Sequence, residues 1–172
     1  MSLVVQISDT HFGTERPEVV RALHETIGQL APDLVVLSGD VTQRARRAQF
    51  DAARRFIDGY ARPTLVVPGN HDVPLFNAFA RLFDPFGGYC RVFGKTLEPV
   101  VDTNDLLVIG VNTVRAKRHK NGEVSRAQIA RVRERQIGRD TSELQALRHL
   151  VCSLLLEKKK VNQKSQHCSR TH

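Results

Sequence analysis

Three short polar segments, each following an apolar run, constrain the fold of this 172-residue chain more than any other feature. The first contains Asp9 and His11, the second Asp40, and the third Asn70 and His71. The intervals from Asp9 to Asp40 and from Asp40 to Asn70 are 31 and 30 residues. About 30 residues is the length of one strand–helix–strand unit. Three parallel strands would therefore bring all three segments to the carboxyl edge of one sheet, where open α/β folds place their sites.

The side chains at that edge are of the kinds that bind metal ions. Carboxylate and imidazole donors of intermediate hardness suit Mn, Fe, Zn or Mg without selecting sharply among them. Asp9 and His11 can reach one ion together, Asp40 is central enough to bridge two ions, and Asn70 offers a neutral oxygen to the second. His71 would point elsewhere, which suits a proton donor or a phosphate contact. Paired ions of this kind stabilise the attacking and leaving oxygens of phosphoryl transfer.

Each segment taken alone also has a purely structural explanation. Asp-x-His is common, a Gly-Asp pair after a strand is often only a turn, and one Gly-Asn-His-Asp tetrapeptide can be a loop. Their joint order, their spacing and their position after apolar runs favour a site over three unrelated turns.

The apolar runs and helical periodicities predict alternating strands and helices, with a short helix opening at Pro74 and ending near Phe83. An irregular stretch then reaches Pro99. We expect strands at residues 3–7, 34–37, 64–67 and 106–111, and helices at 17–30, 45–59 and 125–135. This alternation predicts an α/β fold of βαβαβ type, with a parallel sheet and crossover helices.

The last part of the chain has a different pattern. Asp140 to Glu143 resembles a capping box, and Leu144, Leu147 and Val151 recur at helical spacing. We therefore predict that a main domain over residues 1–135 is followed by an amphipathic C-terminal helix within 136–157. Residues 158–172 are basic and almost without apolar side chains, which predicts a disordered tail.

The positive charge of the chain lies in two stretches. Residues 115–135 carry eight basic and two acidic groups, and residues 157–172 carry five and one. The run from Arg115 to Lys120 follows the fourth predicted strand and could attract a phosphate-bearing substrate, or simply keep a loop solvated. No aromatic residues interleave with it, which weakens the case for a single-stranded nucleic acid partner.

Composition also bears on the expected location. There is no apolar run of 18 residues that could span a membrane, and the N-terminus runs directly into the first strand without a signal peptide. Cys90, Cys152 and Cys168 show neither metal-site nor disulfide spacing, which fits a reducing compartment. We therefore expect a cytoplasmic protein without a membrane partner.

The three segments resemble the motifs of the calcineurin-like metallophosphoesterases. Residues 6–13 match the first family motif, 37–43 the second and 67–72 the third, and the resemblance covers roughly residues 3–135. The second and third segments are most similar to the bacterial branch of class III cyclic-nucleotide phosphodiesterases. The resemblance implies an α/β/β/α sandwich, here in an incomplete form because the similarity ends near Gln136.

The resemblance also implies the roles of the site residues. Asp9, His11 and Asp40 would bind the first of two divalent ions, and Asp40 and Asn70 the second. Asn70 and His71 would contact the substrate phosphate, and His71 would act as the catalytic residue that assists the leaving group. The family completes its site with a histidine after a fourth strand and a Gly-His-x-His after a fifth, and neither motif is recognisable in this chain.

The function implied is metal-dependent hydrolysis of a small phosphoester, either a phosphodiester such as a cyclic nucleotide or a phosphomonoester, by a water that two ions activate. A nuclease of the same fold is a first alternative, which the basic stretches favour and the Val-Thr-Gln after Asp40 disfavours. A catalytically incomplete domain without the late histidines is a second, and it predicts exposed apolar sheet edges and self-association. Substrate, metal identity and oligomeric state stay open.

Overall fold

A computed structural model of the protein describes residues 2–118, 121–140 and 150–153. A 3₁₀ turn at Asn70–Asp72 lies between the third strand and the third helix. The elements in chain order are β1 (Val4–Ser8), α1 (Pro17–Leu30), β2 (Leu34–Ser38), α2 (Arg47–Asp58), β3 (Thr64–Val67), α3 (Ala78–Phe83), α4 (Gly87–Phe93), β4 (Val100–Asp102), β5 (Leu107–Gly110), α5 (Arg126–Asp140) and β6 (Leu150–Ser153).

The first sheet is parallel throughout and has the order β1-β2-β3. Val5 pairs with Val35 on one side of β2, and Val36 pairs with Leu65 on the other. All five residues of β2 are buried, as expected for a central strand covered on both faces. The predicted parallel sheet is confirmed, and β2, which precedes Asp40, is its middle strand.

Helices α1 and α2 form the two crossovers of this sheet. Pro17 begins α1, where its missing N–H costs nothing, and Ala31 ends the helix in the left-handed conformation with its N–H bonded to the Ile27 carbonyl. Helix α2 buries four side chains at spacings of three and four residues, and full burial of a large apolar side chain contributes about 1.5–3 kcal/mol. These are Phe50, Ala53, Phe56 and Ile57.

The second sheet has the order β4-β5-β6, with β4 antiparallel and β6 parallel to β5. On one face of β5, Val108 and the preceding residue Leu106 pack in a buried cluster with residues of β2 and β3. On the other face, Leu107 and Ile109 pack against Val132 of α5. The layers are therefore helix, sheet, sheet and helix, which confirms the α/β class and the sandwich arrangement.

One unpredicted element, helix α4, lies in the stretch that the sequence predicts to be irregular, and another, strand β4, directly follows that stretch. Helix α4 begins at Gly87, and β4 follows Pro99. Glycines disfavour a helix, but α4 buries Tyr89, whose hydroxyl donates to the Val66 carbonyl at 2.7 Å. Burial of this large side chain outweighs the poor local propensity. Helix α3 begins at Ala78 rather than at Pro74, because the Asn77 side chain caps it by accepting from the Ala80 N–H.

The predicted C-terminal helix is wrong at Leu150–Ser153, which form β6. This strand pairs along β5, from Leu107 with Leu150 to Gly110 with Ser153, and so bonds backbone groups that would otherwise be left at a sheet edge. The predicted helical periodicity gives way to this pairing. The rest of the predicted helix beyond Asp140 and the predicted tail lie outside the described residues. Within the described part of the chain, no helix is long and apolar enough to cross a membrane.

Candidate metal centre

The loops that follow β1 and β2 continue to pair after the strands end. The N–H groups of His11 and Phe12 donate to the carbonyls of Asp40 and Val41, each at 2.9 Å. The Gln43 N–H returns a bond to the Phe12 carbonyl at 3.0 Å. Because Phe12 is itself buried, this backbone pairing anchors the loop and places His11 beside Asp40.

Asp9, His11 and Asp40 form one group of ligand atoms that lie within 4.8 Å of one another. The His11 Nε2 atom is 3.9 Å from the Asp40 Oδ2 atom. The Asp40 side chain is 15% exposed and that of His11 is 30% exposed, whereas Asp9 lies in the open. Two of the three side chains are therefore half-buried, and Asp9 is the solvent-exposed member of the group.

These three residues share an unusual backbone conformation. Their φ angles are +55° at Asp9, +45° at His11 and +21° at Asp40, in the region that residues with a Cβ rarely adopt. Strain of this kind persists only where surrounding bonds hold it, and it concentrates at functional sites. Here the inter-loop hydrogen bonds of His11 and Phe12 hold it.

The 3₁₀ turn after β3 brings His71 to the same place. Its backbone N–H donates to the Asp40 Oδ1 atom at 2.9 Å, and its ring meets the His11 ring edge-on with centroids 4.9 Å apart. Its Nδ1 atom is 2.9 Å from the Gln43 carbonyl, so Nδ1 carries a proton and donates it there. Nε2 is left as the ring atom for other contacts. Asn70 precedes His71 and is half-buried in the same turn.

A glycine is required at position 69 because there is no room for a side chain at this turn. A Cβ added there would lie 1.9 Å from the Asp40 backbone nitrogen and 2.3 Å from its Oδ1 atom. The φ angle of Gly69 is −106°, which any residue can adopt, so the requirement is the close approach of two loops and not the backbone angle.

Asp72 is a buried carboxylate whose role the sequence did not reveal. It is 1% exposed and accepts four hydrogen bonds, from the N–H groups of Val41, Thr42 and Gly69 and from the Thr42 hydroxyl. Burial raises the pKa of Asp72 to about 6, and the four donors act in the opposite direction. Only its place at the end of Gly-Asn-His-Asp hinted at a role.

The arrangement fits a divalent cation. Among the described residues the buried His11 Nδ1 atom has no hydrogen-bond partner, and two carboxylates lie beside the ring, with the Asp40 Oδ2 atom on the side of Nε2. Imidazole with carboxylates is a donor set that Mn, Fe or Zn accepts. In the described part of the chain this is the one such cluster of His, Cys, Asp or Glu.

The other described histidine, His24, serves packing. Its ring stacks on Tyr60 with centroids 4.4 Å apart and meets the Phe56 ring edge-on. His119, His149, His167 and His172 lie outside the described residues.

Among curated proteins, the chain is similar to phosphodiesterases. It is 32% identical over 81 residues to the glycerophosphodiester phosphodiesterase of Enterobacter lignolyticus, with 41% of this chain and 29% of the relative covered. A probable cyclic nucleotide phosphodiesterase of Synechococcus sp. is 28% identical over 80 residues, with 41% and 31% covered. A probable glycerophosphodiester phosphodiesterase of Arcobacter nitrofigilis is 30% identical over 81 residues, with 41% and 30% covered. The chain spans about three tenths of the length of these relatives.

The family described as calcineurin-like phosphoesterase matches residues 2–161. The match continues past Gln136, where the sequence motifs had suggested that similarity ends, and it includes β6. Because it covers nearly the whole chain, the protein belongs to the calcineurin-like phosphoesterase family.

Proposed function

We propose that this protein is a metal-dependent phosphoesterase that hydrolyses phosphodiester bonds with an activated water. The observation that carries the proposal is the convergence of Asp9, His11 and Asp40 beside the His71 ring at the carboxyl ends of β1, β2 and β3. Relatives whose names describe them as acting on glycerophosphodiesters and cyclic nucleotides favour a phosphodiester over a phosphomonoester.

Two divalent ions would be shared among four side chains. Asp9, His11 and Asp40 would hold the first, and Asp40 and Asn70 the second. Bound ions supply a Lewis acid for the phosphoryl oxygens and lower the pKa of a water to near neutrality. The central position of β2 supports a bridging role for Asp40, since its carboxylate lies between His11 on one side and the turn of Asn70 on the other.

His71 would contact the substrate phosphate together with Asn70 and assist the leaving group. The Gln43 carbonyl accepts from Nδ1 and fixes the ring orientation. A proton on Nε2 could therefore pass to a departing oxygen while the bond from Nδ1 to Gln43 stays intact. The backbone bond from His71 to Asp40 keeps that ring at a set distance from the metal ligands.

A nuclease is the second candidate function, and one contact favours it. The Arg81 side chain of α3 donates to the Arg118 carbonyl at 3.0 Å, so Arg118 of the cationic run contacts the helix that follows the site turn in the chain. A nuclease would show DNA affinity that falls steeply with salt, because each phosphate contact releases counterions. DNA affinity that does not depend on salt concentration would argue against a nuclease and would support a small substrate.

The test is Mn²⁺-dependent hydrolysis of bis(p-nitrophenyl) phosphate by the purified chain, with Asp40→Asn as the variant. Loss of one group that acts on the transition state typically costs about 10²–10³-fold, and we expect at least that loss here. Asp58→Asn is the matched control, because Asp58 is an exposed carboxylate of α2 that pairs with Arg54 on the surface of the same helix. Turnover retained in Asp40→Asn would refute the bridging role. A folded wild-type chain without turnover would support the catalytically incomplete alternative.

A further inference from the structure

We infer that Asp72 is a positioning residue that fixes the orientation in which Asp40 presents its carboxylate to a divalent ion. The inference rests on the proposed function for the ion, but the positioning itself can be measured without metal. It assigns a task to the one carboxylate of the Gly-Asn-His-Asp segment that is wholly buried and therefore cannot touch substrate.

The two oxygens of Asp72 join the two loops of the site. Oδ1 accepts from the Thr42 N–H and from the Thr42 hydroxyl, both at 2.7 Å. Oδ2 accepts from the Val41 N–H at 3.0 Å and from the Gly69 N–H at 2.8 Å. Val41 and Thr42 directly follow Asp40, and Gly69 begins the turn that carries Asn70 and His71. One side chain therefore holds both loops at a fixed separation.

That separation decides where the Asp40 carboxylate points. Asp40 has a φ of +21°, and the residues after it are held by Asp72. The His71 N–H donates a hydrogen bond to Asp40 Oδ1. The other carboxylate oxygen, Oδ2, is the one that faces the His11 ring. The close approach at Gly69 allows no slack, since even a methyl group would overlap Asp40.

An amide cannot replace the Asp72 carboxylate. All four groups that face it are donors, and an asparagine side chain would bring a fifth donor to one of its two ends. Two backbone or hydroxyl donors would then lose their acceptor at a position where the Asp72 side chain is buried. A buried donor without a partner is costly, so we expect the loops to separate while the strands below stay paired.

The experiment compares wild type, Asp72→Asn and Thr42→Val for Mn²⁺ affinity by calorimetry and for amide exchange without metal. Removing a residue that orients metal ligands typically weakens affinity ~10–100-fold, and we expect a loss in that range for Asp72→Asn and a smaller one for Thr42→Val. We also expect the Val41 and Gly69 amides to exchange at least about tenfold faster, with the β2 amides unchanged.

Two control variants separate positioning from a general loss of stability. Ile27→Ala removes a buried side chain of α1 and destabilises the fold without touching either loop. Asp33→Asn changes a carboxylate that also accepts a backbone N–H, that of Leu3, at the opposite end of the sheet. Both should keep wild-type Mn²⁺ affinity, and neither should speed exchange at Val41 and Gly69 more than it speeds exchange at the β2 amides.

The inference is overturned if Asp72→Asn matches Ile27→Ala in both Mn²⁺ affinity and amide exchange. A wild-type chain that binds no Mn²⁺ would count against the proposed function instead. In that case the exchange rates at Val41 and Gly69 still decide whether Asp72 positions the loops.

Discussion

Three metal-ligand candidates with left-handed backbone angles are the unusual feature at the scale of single residues. Asp9, His11 and Asp40 each adopt a positive φ that glycine tolerates far better. The chain uses carboxylate and imidazole side chains there at a conformational cost of about 1–3 kcal/mol each. Backbone bonds between the loops, together with the four bonds of Asp72, offset this cost. The backbone conformation of the candidate site therefore depends on these supporting hydrogen bonds as much as on the candidate ligands themselves.

We expect Gly69→Ala to destabilise the fold by at least about 2 kcal/mol, because overpacking against backbone forces the loops apart. A Cβ there would lie 1.9 Å from the Asp40 nitrogen, which cannot rotate away as a side-chain end could. The measurement is urea unfolding, repeated with Mn²⁺ to show that metal no longer stabilises the variant.

Gly28→Ala is the matched control for this substitution. Gly28 lies within α1, and in the part of the chain that the structure describes no atom beyond its own helix comes within 4 Å of an added Cβ, so alanine there should stabilise by about 0.5–1 kcal/mol. A Gly69→Ala variant as stable as wild type would contradict the close approach of the loops.

At the scale of elements, the sequence predicts what depends on local pattern and fails where distant contacts decide. β1, β2, β3, α1 and α2 follow from apolar runs and three-to-four spacing, and so does the edge where the site lies. Helix α4 and strand β6 depend on partners far along the chain: Val66 for Tyr89, and β5 for Leu150–Ser153. Asp72 was hidden for the same reason, because its partners at residues 41 and 42 are about 30 positions away.

Helix α3 carries an apolar face that no described element covers. Five large apolar side chains between residues 75 and 83 are at least half exposed, with Phe76 at 77% and Phe79 at 74%. These side chains belong to α3 and to the segment just before it, so they do not bear on the sheet edges that a catalytically incomplete domain is expected to expose. The Arg44 guanidinium lies over the Phe76 ring, 5.4 Å from its centre, and partly shields it.

Because Phe79 is exposed, Phe79→Ser should change the free energy of unfolding by less than about 0.5 kcal/mol while lowering binding of a hydrophobic dye. Phe50→Ser is the contrasting variant. Its ring is fully buried under α2, so its loss should cost about 3–5 kcal/mol. A large stability loss in Phe79→Ser would mean that the ring is covered in solution.

At the scale of the whole molecule, the two tyrosines report on the helical layer outside the first sheet. The chain has two tyrosines and no tryptophan, so absorbance near 295 nm follows these phenols alone. Tyr60 lies two residues after the end of α2, and Tyr89 lies in α4. Both side chains belong to the same buried cluster. Burial raises the pKa of Tyr60 to about 12 and raises that of Tyr89 further.

These shifts predict how the molecule responds to alkali. An unfolded chain ionises its phenols near their ordinary pKa of about 10, whereas the folded chain keeps them protonated. The folded state therefore binds more protons than the unfolded state above pH 10, and its stability falls as the pH rises from there toward 12. For the folded protein, we expect phenolate absorbance to appear in one cooperative step that coincides with loss of circular dichroism. For the protein unfolded in urea, we expect phenolate absorbance to follow a simple titration near about pH 10. Phenolate that forms in the folded protein with a midpoint near 10 would contradict the burial of both rings, and with it the packing of α2 and α4 on the sheet that positions the site.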